Sequence, residues 1–376
     1  MWKVPLFRIY NDQEDVRVVS KVIKRGQDWA VGPEIKEFEK KISEYVGTKY
    51  CVAFNSGTSA LHASLISHKI KRGSKVAVPS FSFIATSNSV LFVDAKPVFV
   101  DIEEENLGMD PKELDLVIKK QKIDAIIPVH YAGLSCKIDE IVDIAKRKKI
   151  PVIEDAAESL GSSYKKKMTG TFGDSAIVSF APNKIITTGE GGAVLTDSRE
   201  IYERLLLTRS HGRNDVVNYF ASSDQANYID LGYNFRMASM IAALGLSQLK
   251  KINKIIKMRQ MIASFYYNEL SSIKEIILPK PVPQSNHIYQ LYSIRVKNKM
   301  RDSLAKSLKS AGIMSKVYFQ PIHLTKFYKK SFGFKGGELP VTEKISKDIL
   351  TLPLYPHMTK IEMKLVTSEV RKFFEK

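Results

Sequence analysis

The chain has 376 residues, 44% of them hydrophobic, which suits one large domain with a smaller one attached and excludes a disordered chain. Its 58 Lys and Arg against 40 Asp and Glu give a formal charge of +18, which favours nucleic acid, an anionic membrane surface or a phosphorylated substrate. The basic residues come in short clusters at helix ends, without interleaved aromatics or the spacing of a DNA-binding helix pair or zinc finger, so most of this charge reads as solvated surface and no nucleic-acid partner is expected.

MWKVPLFRIYNDQED has no apolar stretch of signal-peptide length, and runs such as VLFV (90–93) are too short to span a bilayer, so a cytoplasmic protein without membrane attachment is expected. From about residue 34 to 200, helical patterns alternate with short apolar strands, the signature of an α/β domain with a mostly parallel sheet. PEIKEFEKKISEYVG (33–47) has helical apolar spacing and stops at a glycine. YCVAFNS, VAVPSF, PVFVDI, DAIIPVH and PVIED then read as strands, each feeding a helix such as SALHASLISHKI or IDEIVDIAKRKK. DSAIVSF (174–180) and AVLTD (193–197) are two further strands. Residues 237–270 read as one long helical stretch, followed by a strand in YQLYSIRV, a helix in RDSLAKSLKSAG and a lysine-rich terminal helix. This divides the chain into a large α/β domain, 1–250, including an N-terminal arm, and a small α+β domain, 251–376. Cys51 and Cys136 lie in apolar segments without ligand-like spacing, which fits reduced core thiols, and no metal site is expected.

Ligands of open α/β sheets bind beyond the carboxyl ends of the strands. Lys184 lies there, in SFAPNKIITTGEGG (179–192), either as one more solvated lysine or as an amine nucleophile. Asp155, at the end of PVIED, either caps a following helix or meets a cation such as a protonated pyridine nitrogen. In AFNSGTSALHA, Gly57, Thr58 and Ser59 open a helix and form an anion site, without the GK[ST] of a Walker loop. Phe83, in VPSFSFIATS, either fills core or stacks on a planar ring. Together these four features are what a phosphorylated aldehyde cofactor needs.

GTSAL (57–61), PSFSFIATSNSV (79–90), PVHYAG (128–133), IEDAAESLGS (153–162), SFAPNKIITTGEGG, RSHGR (209–213), LGYNFRM (231–237) and YFQPIH (318–323) follow one another as in a known family. Over nearly the whole chain the sequence resembles the sugar aminotransferases of the DegT/DnrJ/EryC1/StrS type, fold type I enzymes dependent on pyridoxal 5'-phosphate (PLP). The resemblance implies that Lys184 links covalently to the cofactor and shuttles the proton, and that Asp155 pairs with the pyridine nitrogen. Ser179, the Thr58 hydroxyl and the amides by Gly57 and Ser59 then hold the phosphate, and Phe83 stacks on the ring. Asn234 would reach the cofactor phosphate of the neighbouring subunit, making a homodimer with shared active sites. Arg236, Tyr318 and His323 match positions near the diphosphate of a nucleotide sugar, though His323 also reads as a satisfied loop histidine. Glu158 stands where many relatives place an amide or imidazole near the ring hydroxyl of the cofactor.

By the same resemblance the amino donor is L-glutamate and the acceptor a nucleotide-linked keto sugar, aminated at carbon 4 or less often carbon 3. Relatives that dehydrate deoxysugars carry histidine in place of Lys184, so transamination is expected. APNKIITTGEGG and VYFQPIHLTKFY look most like perosamine synthases, which act on GDP-4-keto-6-deoxymannose. Enzymes of UDP-linked 4-amino sugars or cyclitols, and a basic regulatory relative without catalysis, are the alternatives.

Overall fold

A computed structural model describes residues 2–214, 223, 225–280 and 282–375. α1 (Gln13–Arg25) starts where Asp12 accepts the Glu14 and Asp15 amides and Asp15 bonds back to the Asp12 amide. α2 (Pro33–Val46) opens on a proline, whose missing N–H has no partner in a first turn, and stops at Gly47, with φ at 92°. The expected alternation follows: β1 (Tyr50–Phe54), α3 (Gly57–Ser67), β2 (Lys75–Pro79), α4 (Ala85–Leu91), β3 (Lys96–Val100), α5 (Pro111–Lys120), β4 (Ala125–Ile126), α6 (Ile138–Lys148) and β5 (Ile153–Asp155). A hairpin of β6 (Ser163–Tyr164) and β7 (Lys167–Met168) precedes β8 (Ser175–Ser179) and β9 (Gly192–Thr196). β5 and β8 feed turns instead of helices; after β8, Pro182, Gly189 and Gly191 keep 180–191 irregular.

The strands run β3-β2-β4 and β5-β8-β9-β1, and parallel bridges Ile126–Val152 and Val129–Asp155 join the two runs into one wall. β2 is parallel to β3 and β4, and β5 to β8. Only β9 is reversed, antiparallel to both β8 and β1. The carboxyl ends of β1, β2, β5 and β8 therefore share one side of the sheet.

Alternate residues fill the two faces. Ala53, Val178 and Leu195 pack with Phe38 and Ile42 of α2, whereas Val52, Ile177 and Val194 pack with Leu61 and Leu65 of α3. α7 (Arg199–Arg209) adds Leu205 to the core on the α3 face. The stretch 237–270 is not one helix but two, α8 (Ser239–Leu249) and α9 (Ile252–Leu270). The break has a tertiary cause: Gln248 bonds the Tyr10 carbonyl and Asp15, and the Lys251 ammonium reaches Asp15 at 2.9 Å, so both side chains are held by the N-terminal segment.

Beyond α9 a second sheet combines β10 (Ile276–Ile277), β12 (Tyr292–Val296) and β13 (Ile349–Leu352), while β11 (Ser285–Asn286) joins the β6–β7 hairpin. α10 (Arg301–Ser310), α11 (Lys326–Phe332), α12 (Pro340–Asp348) and α13 (Lys360–Phe374) follow in chain order, and Tyr328 of α11 lies in the core on the α3 face of the main sheet. Leu304 and Leu308 of α10 and Val366 and Val370 of α13 cover the core of the second sheet. The N-terminal arm belongs to both halves: Val4 pairs with Ile313 inside this second core, while Tyr10 lies in the first. α9 likewise gives Ile252 and Ile255 to the first and Ile262 and Leu270 to the second.

Candidate active site

Lys184 is not a solvated surface lysine. The turn that carries it is tied down by the Lys184 amide on the Ala181 carbonyl and by Gln290 on the Asn183 carbonyl. Its side chain is 13% exposed, and Nζ lies 3.6 Å from Glu158 Oε1. Glu158 is positioned from its other oxygen, which accepts the Ala132 amide at 2.9 Å.

Asp155 is buried at the end of β5, where no helix follows for it to cap. Oδ2 accepts Thr86 Oγ1 at 2.8 Å and Oδ1 the Ala157 amide at 3.2 Å. Burial pushes its proton affinity above the ordinary carboxylate value; Thr86, the Ala157 amide and Lys184 pull the other way, and Glu158 adds to the rise. A cation placed beside this carboxylate would relieve the burial penalty, which is what a protonated pyridine nitrogen offers.

At the mouth of β1, Ser56 caps α3 by accepting the Ser59 amide at 3.0 Å, and Ser59 Oγ donates to Asn55 Oδ1 at 2.7 Å. The Ser59 amide is thus occupied, and the first-turn amides of Gly57 and Thr58 are the ones left to an anion. The backbones here touch as only glycines permit. A Cβ on Gly192 would meet the Ser56 carbonyl at 2.5 Å, and one on Gly57 would meet Ser179 Cβ at 3.0 Å. The exposed Asn234 lies alongside, its carbonyl accepting Asn55 Nδ2 at 3.3 Å.

Phe83 is 60% exposed and does not fill core. Its ring stands 6.4 Å from that of Phe319, free to cover a flat ligand. Tyr318 lines a small cavity with Asn183, the residue before Lys184, and its carbonyl accepts Tyr131 OH at 2.6 Å. Arg236 points elsewhere, into a cleft shared with Arg209 and Arg213. His323 is fully buried, with Nδ1 2.7 Å from Ser80 Oγ and Nε2 3.2 Å from Glu343. With Glu338 and Glu343 it places three potential metal ligands within 4.8 Å, but both carboxylates already accept backbone amides.

Two residues of the site escaped the sequence. Thr86 had no local signal, because its partner Asp155 is 69 positions away. Ser56 had one: a serine directly before a helix-opening Gly-Thr-Ser is a cap. The assembled set fits PLP: an enclosed lysine, a buried carboxylate short of a cation, an exposed aromatic face and an amide cradle closed by glycines.

Residues 10–371 match the model of the DegT/DnrJ/EryC1/StrS aminotransferase family. The chain is 34% identical to the GDP-perosamine synthase of Caulobacter vibrioides, over 89% of this chain and 88% of that protein. It is 35% identical to the UDP-4-amino-4,6-dideoxy-N-acetyl-beta-L-altrosamine transaminase of Campylobacter jejuni, over 97% and 96%. Among solved structures, the PLP form of Spr1654 from Streptococcus pneumoniae superposes with a TM-score of 0.91 at 25% identity, covering 100% of this chain and 98% of that one.

Proposed function

We propose a substrate and a division of labour for a chain that belongs to the DegT/DnrJ/EryC1/StrS aminotransferase family. The protein is a sugar aminotransferase that uses pyridoxal phosphate. It moves an amino group from L-glutamate to a nucleotide-linked 4-keto-6-deoxyhexose, with GDP-4-keto-6-deoxymannose the favoured acceptor. The relative that aminates a UDP sugar is as similar as the GDP-perosamine synthase, and this supports a UDP-linked acceptor as the second reading.

When bound, PLP supplies an aldehyde that carries the amino group and a ring that takes up the electron pair of the deprotonated carbon. Lys184 would hold it covalently and, once released, would carry the proton between the α-carbon of the donor and the carbon that bears its nitrogen on the cofactor, kept in place by Glu158 at 3.6 Å. Asp155, oriented by Thr86, keeps the ring nitrogen protonated. Phe83 covers one ring face, and the Gly57 and Thr58 amides, the Thr58 hydroxyl and Ser179 hold the phosphate, with Ser59 shaping that turn through Asn55. Glu158 faces the ring hydroxyl. The exposed Asn234 completes the phosphate site of the other subunit of a homodimer. Arg236 and Tyr318 contact the sugar nucleotide; His323, buried and doubly bonded, has no part in it. Among the described residues no helix is long and apolar enough to cross a membrane, and we place the enzyme in the cytoplasm.

One observation carries this reading: the enclosed Lys184 lies against Glu158 beside the buried Asp155, in a chain of this family. The test is incubation with PLP, glutamate and a panel of GDP- and UDP-linked 4-keto and 3-keto sugars, scored by mass spectrometry. The reading expects an amino sugar from a 4-keto acceptor and the GDP sugar turned over fastest; amination of 3-keto sugars alone, or of none, defeats it.

A further inference from the structure

Arg259 lies on α9 between the stretch that packs in the first core, with Ile252 and Ile255, and the stretch that packs in the second, with Ile262 and Leu270. It is 4% exposed, and no carboxylate pairs with it among the described residues. Burial pushes its pKa down to about 9, which leaves it charged at neutral pH. Its Nε donates to the Tyr289 carbonyl at 2.8 Å and its Nη2 to the Gln290 carbonyl at 2.6 Å. A buried charge without a counterion lowers stability, and an apolar side chain of that length would fill the same space without the penalty. What the planar guanidinium alone supplies is a pair of donors at fixed spacing, and both go to consecutive carbonyls just before β12.

The segment held this way, 288–291, reaches both members of the Lys184–Glu158 pair. On one side the Gln290 side chain donates to the Asn183 carbonyl at 2.5 Å, directly before Lys184. Its Oε1 is buried without a hydrogen-bond partner among the described residues, so the side-chain amide is tied to that one bond. On the other side the Ile288 amide donates to the Gly133 carbonyl at 3.1 Å and the Leu291 amide to the Ala132 carbonyl at 3.3 Å. The Ala132 amide in turn holds Glu158, whose other oxygen lies 3.6 Å from Lys184 Nζ.

Ala132 has φ at 57°, in the left-handed region that residues other than glycine seldom occupy. A residue keeps such a conformation only where its surroundings impose it. Here Leu291 bonds its carbonyl and Glu158 its amide. One segment, bolted to α9 at one guanidinium, thus fixes both the turn that carries Lys184 and the loop that aims Glu158 at it.

We propose that Arg259 is a positioning residue for Lys184: through 288–291 it sets where the amine stands relative to Glu158 and to the cofactor. This rests on the function given above for Lys184. None of the hydrogen bonds of the Arg259 and Gln290 side chains goes to the phosphate cradle or to Asp155, so the two roles separate by experiment.

The test compares Arg259→Met, Arg259→Lys and Gln290→Met with the unaltered protein and with Ile262→Val, which thins the second core about one turn along α9. Each protein is mixed with PLP, and the covalent link at Lys184 is trapped with borohydride at set times and counted by mass spectrometry. Arg259→Met and Gln290→Met should slow attachment by about ten- to a hundredfold, as a misplaced reacting group does. Arg259→Lys keeps the charge but not the paired donors and should fall between, while Ile262→Val should attach at the unaltered rate. Combining Arg259→Met with Gln290→Met should add no more than about twofold to the slower single variant, because both act through one contact. In a Lys184→Ala background the same substitutions should change PLP affinity by less than about twofold, whereas a general loss of structure would weaken it there too. Hydrogen exchange of the cofactor-free protein gives a second readout: peptides containing Ala132 and Lys184 should exchange about tenfold faster in the two methionine variants and not in Ile262→Val. Should Arg259→Met not fold, Gln290→Met and Arg259→Lys carry the same comparison. The proposal falls if the variants at 259 and 290 attach PLP at the unaltered rate, if Ile262→Val slows attachment as much, or if PLP affinity drops as far without Lys184. Unchanged attachment with sugar amination intact removes the role of Arg259 alone. An unaltered protein that never links PLP at Lys184 removes the transferase reading, and the exchange rates still decide whether Arg259 fixes the turn.

Discussion

Glu154→Gln removes one charge from beneath the catalytic wall without changing the shape of the side chain. Glu154 is fully buried, one residue before Asp155, and takes hydrogen bonds from His130 Nε2 at 2.8 Å, Gly170 N at 2.8 Å, and Phe172 and Gly173 N at 2.7 Å. The Cys136 amide donates to His130 Nδ1 at 3.2 Å, so the proton directed at Glu154 is the one on His130 Nε2. Burial raises the proton affinity of Glu154, but these donors outweigh it and hold the carboxyl below its ordinary range. Glutamine keeps one acceptor oxygen and turns an NH₂ toward two of the donors. Leaving two buried donors unpaired costs about 1–3 kcal/mol each, so about 2–6 kcal/mol in all. For 376 residues, an unfolding entropy of about 2.1 cal/mol/K per residue makes this a fall in Tm of about 3–8 °C. The sign with pH follows from the depressed carboxyl: its contribution is present above its unfolded value of 4.5 and is lost as pH falls through the lower folded value. Calorimetric melts should therefore show the full gap between unaltered and variant protein near neutrality and a closing gap in acid. A Tm shift under about 1 °C at neutral pH, or a gap that stays constant into acid, refutes the reasoning.

Three further substitutions separate fold from chemistry. Phe83→Ala should leave Tm within about 1 °C, because the ring is 60% exposed, yet weaken PLP about two- to twelvefold in a fluorescence titration; unchanged affinity would remove the stacking role. Gly192→Ala drives a Cβ to 2.5 Å from the Ser56 carbonyl and should cost about 1–3 kcal/mol of stability together with cofactor affinity, and an unshifted melt contradicts the cradle. Asp155→Asn keeps an oxygen for Thr86 and should fold normally while transamination, followed by 2-oxoglutarate release, drops by about 10²- to 10⁴-fold; near-normal turnover would sink the pyridine-nitrogen pairing.

What the sequence could show depended on the range of the interaction involved. The alternation of strands and helices up to residue 155 was legible because each element carries its own apolar period, and Gly47 and Pro33 mark helix ends locally. The long helix over 237–270 misread because nothing within it reveals that Asp15 and Tyr10, more than two hundred positions away, hold Gln248 and Lys251. We propose that the chain divides there, near residue 250, although the arm and α9 pack in both cores. The site follows the same rule. Lys184, Asp155 and Gly57 lie at strand ends where chemistry is expected, while the orientation of Asp155 by Thr86 and of Glu158 by the Ala132 amide comes from contacts between distant segments. His323 shows the same dependence, a motif residue whose burial and partners, Ser80 and Glu343, no local pattern reveals.

The most direct test of the central claim is the visible absorption spectrum of the purified protein with added PLP, before and after glutamate, beside the Lys184→Ala variant. A yellow band that forms in the unaltered protein, is bleached by glutamate and is missing its lysine-linked form in the variant supports Lys184 as the attachment point of an aminotransferase. A protein that takes up no PLP, or a variant whose spectrum and response match the unaltered protein, contradicts it.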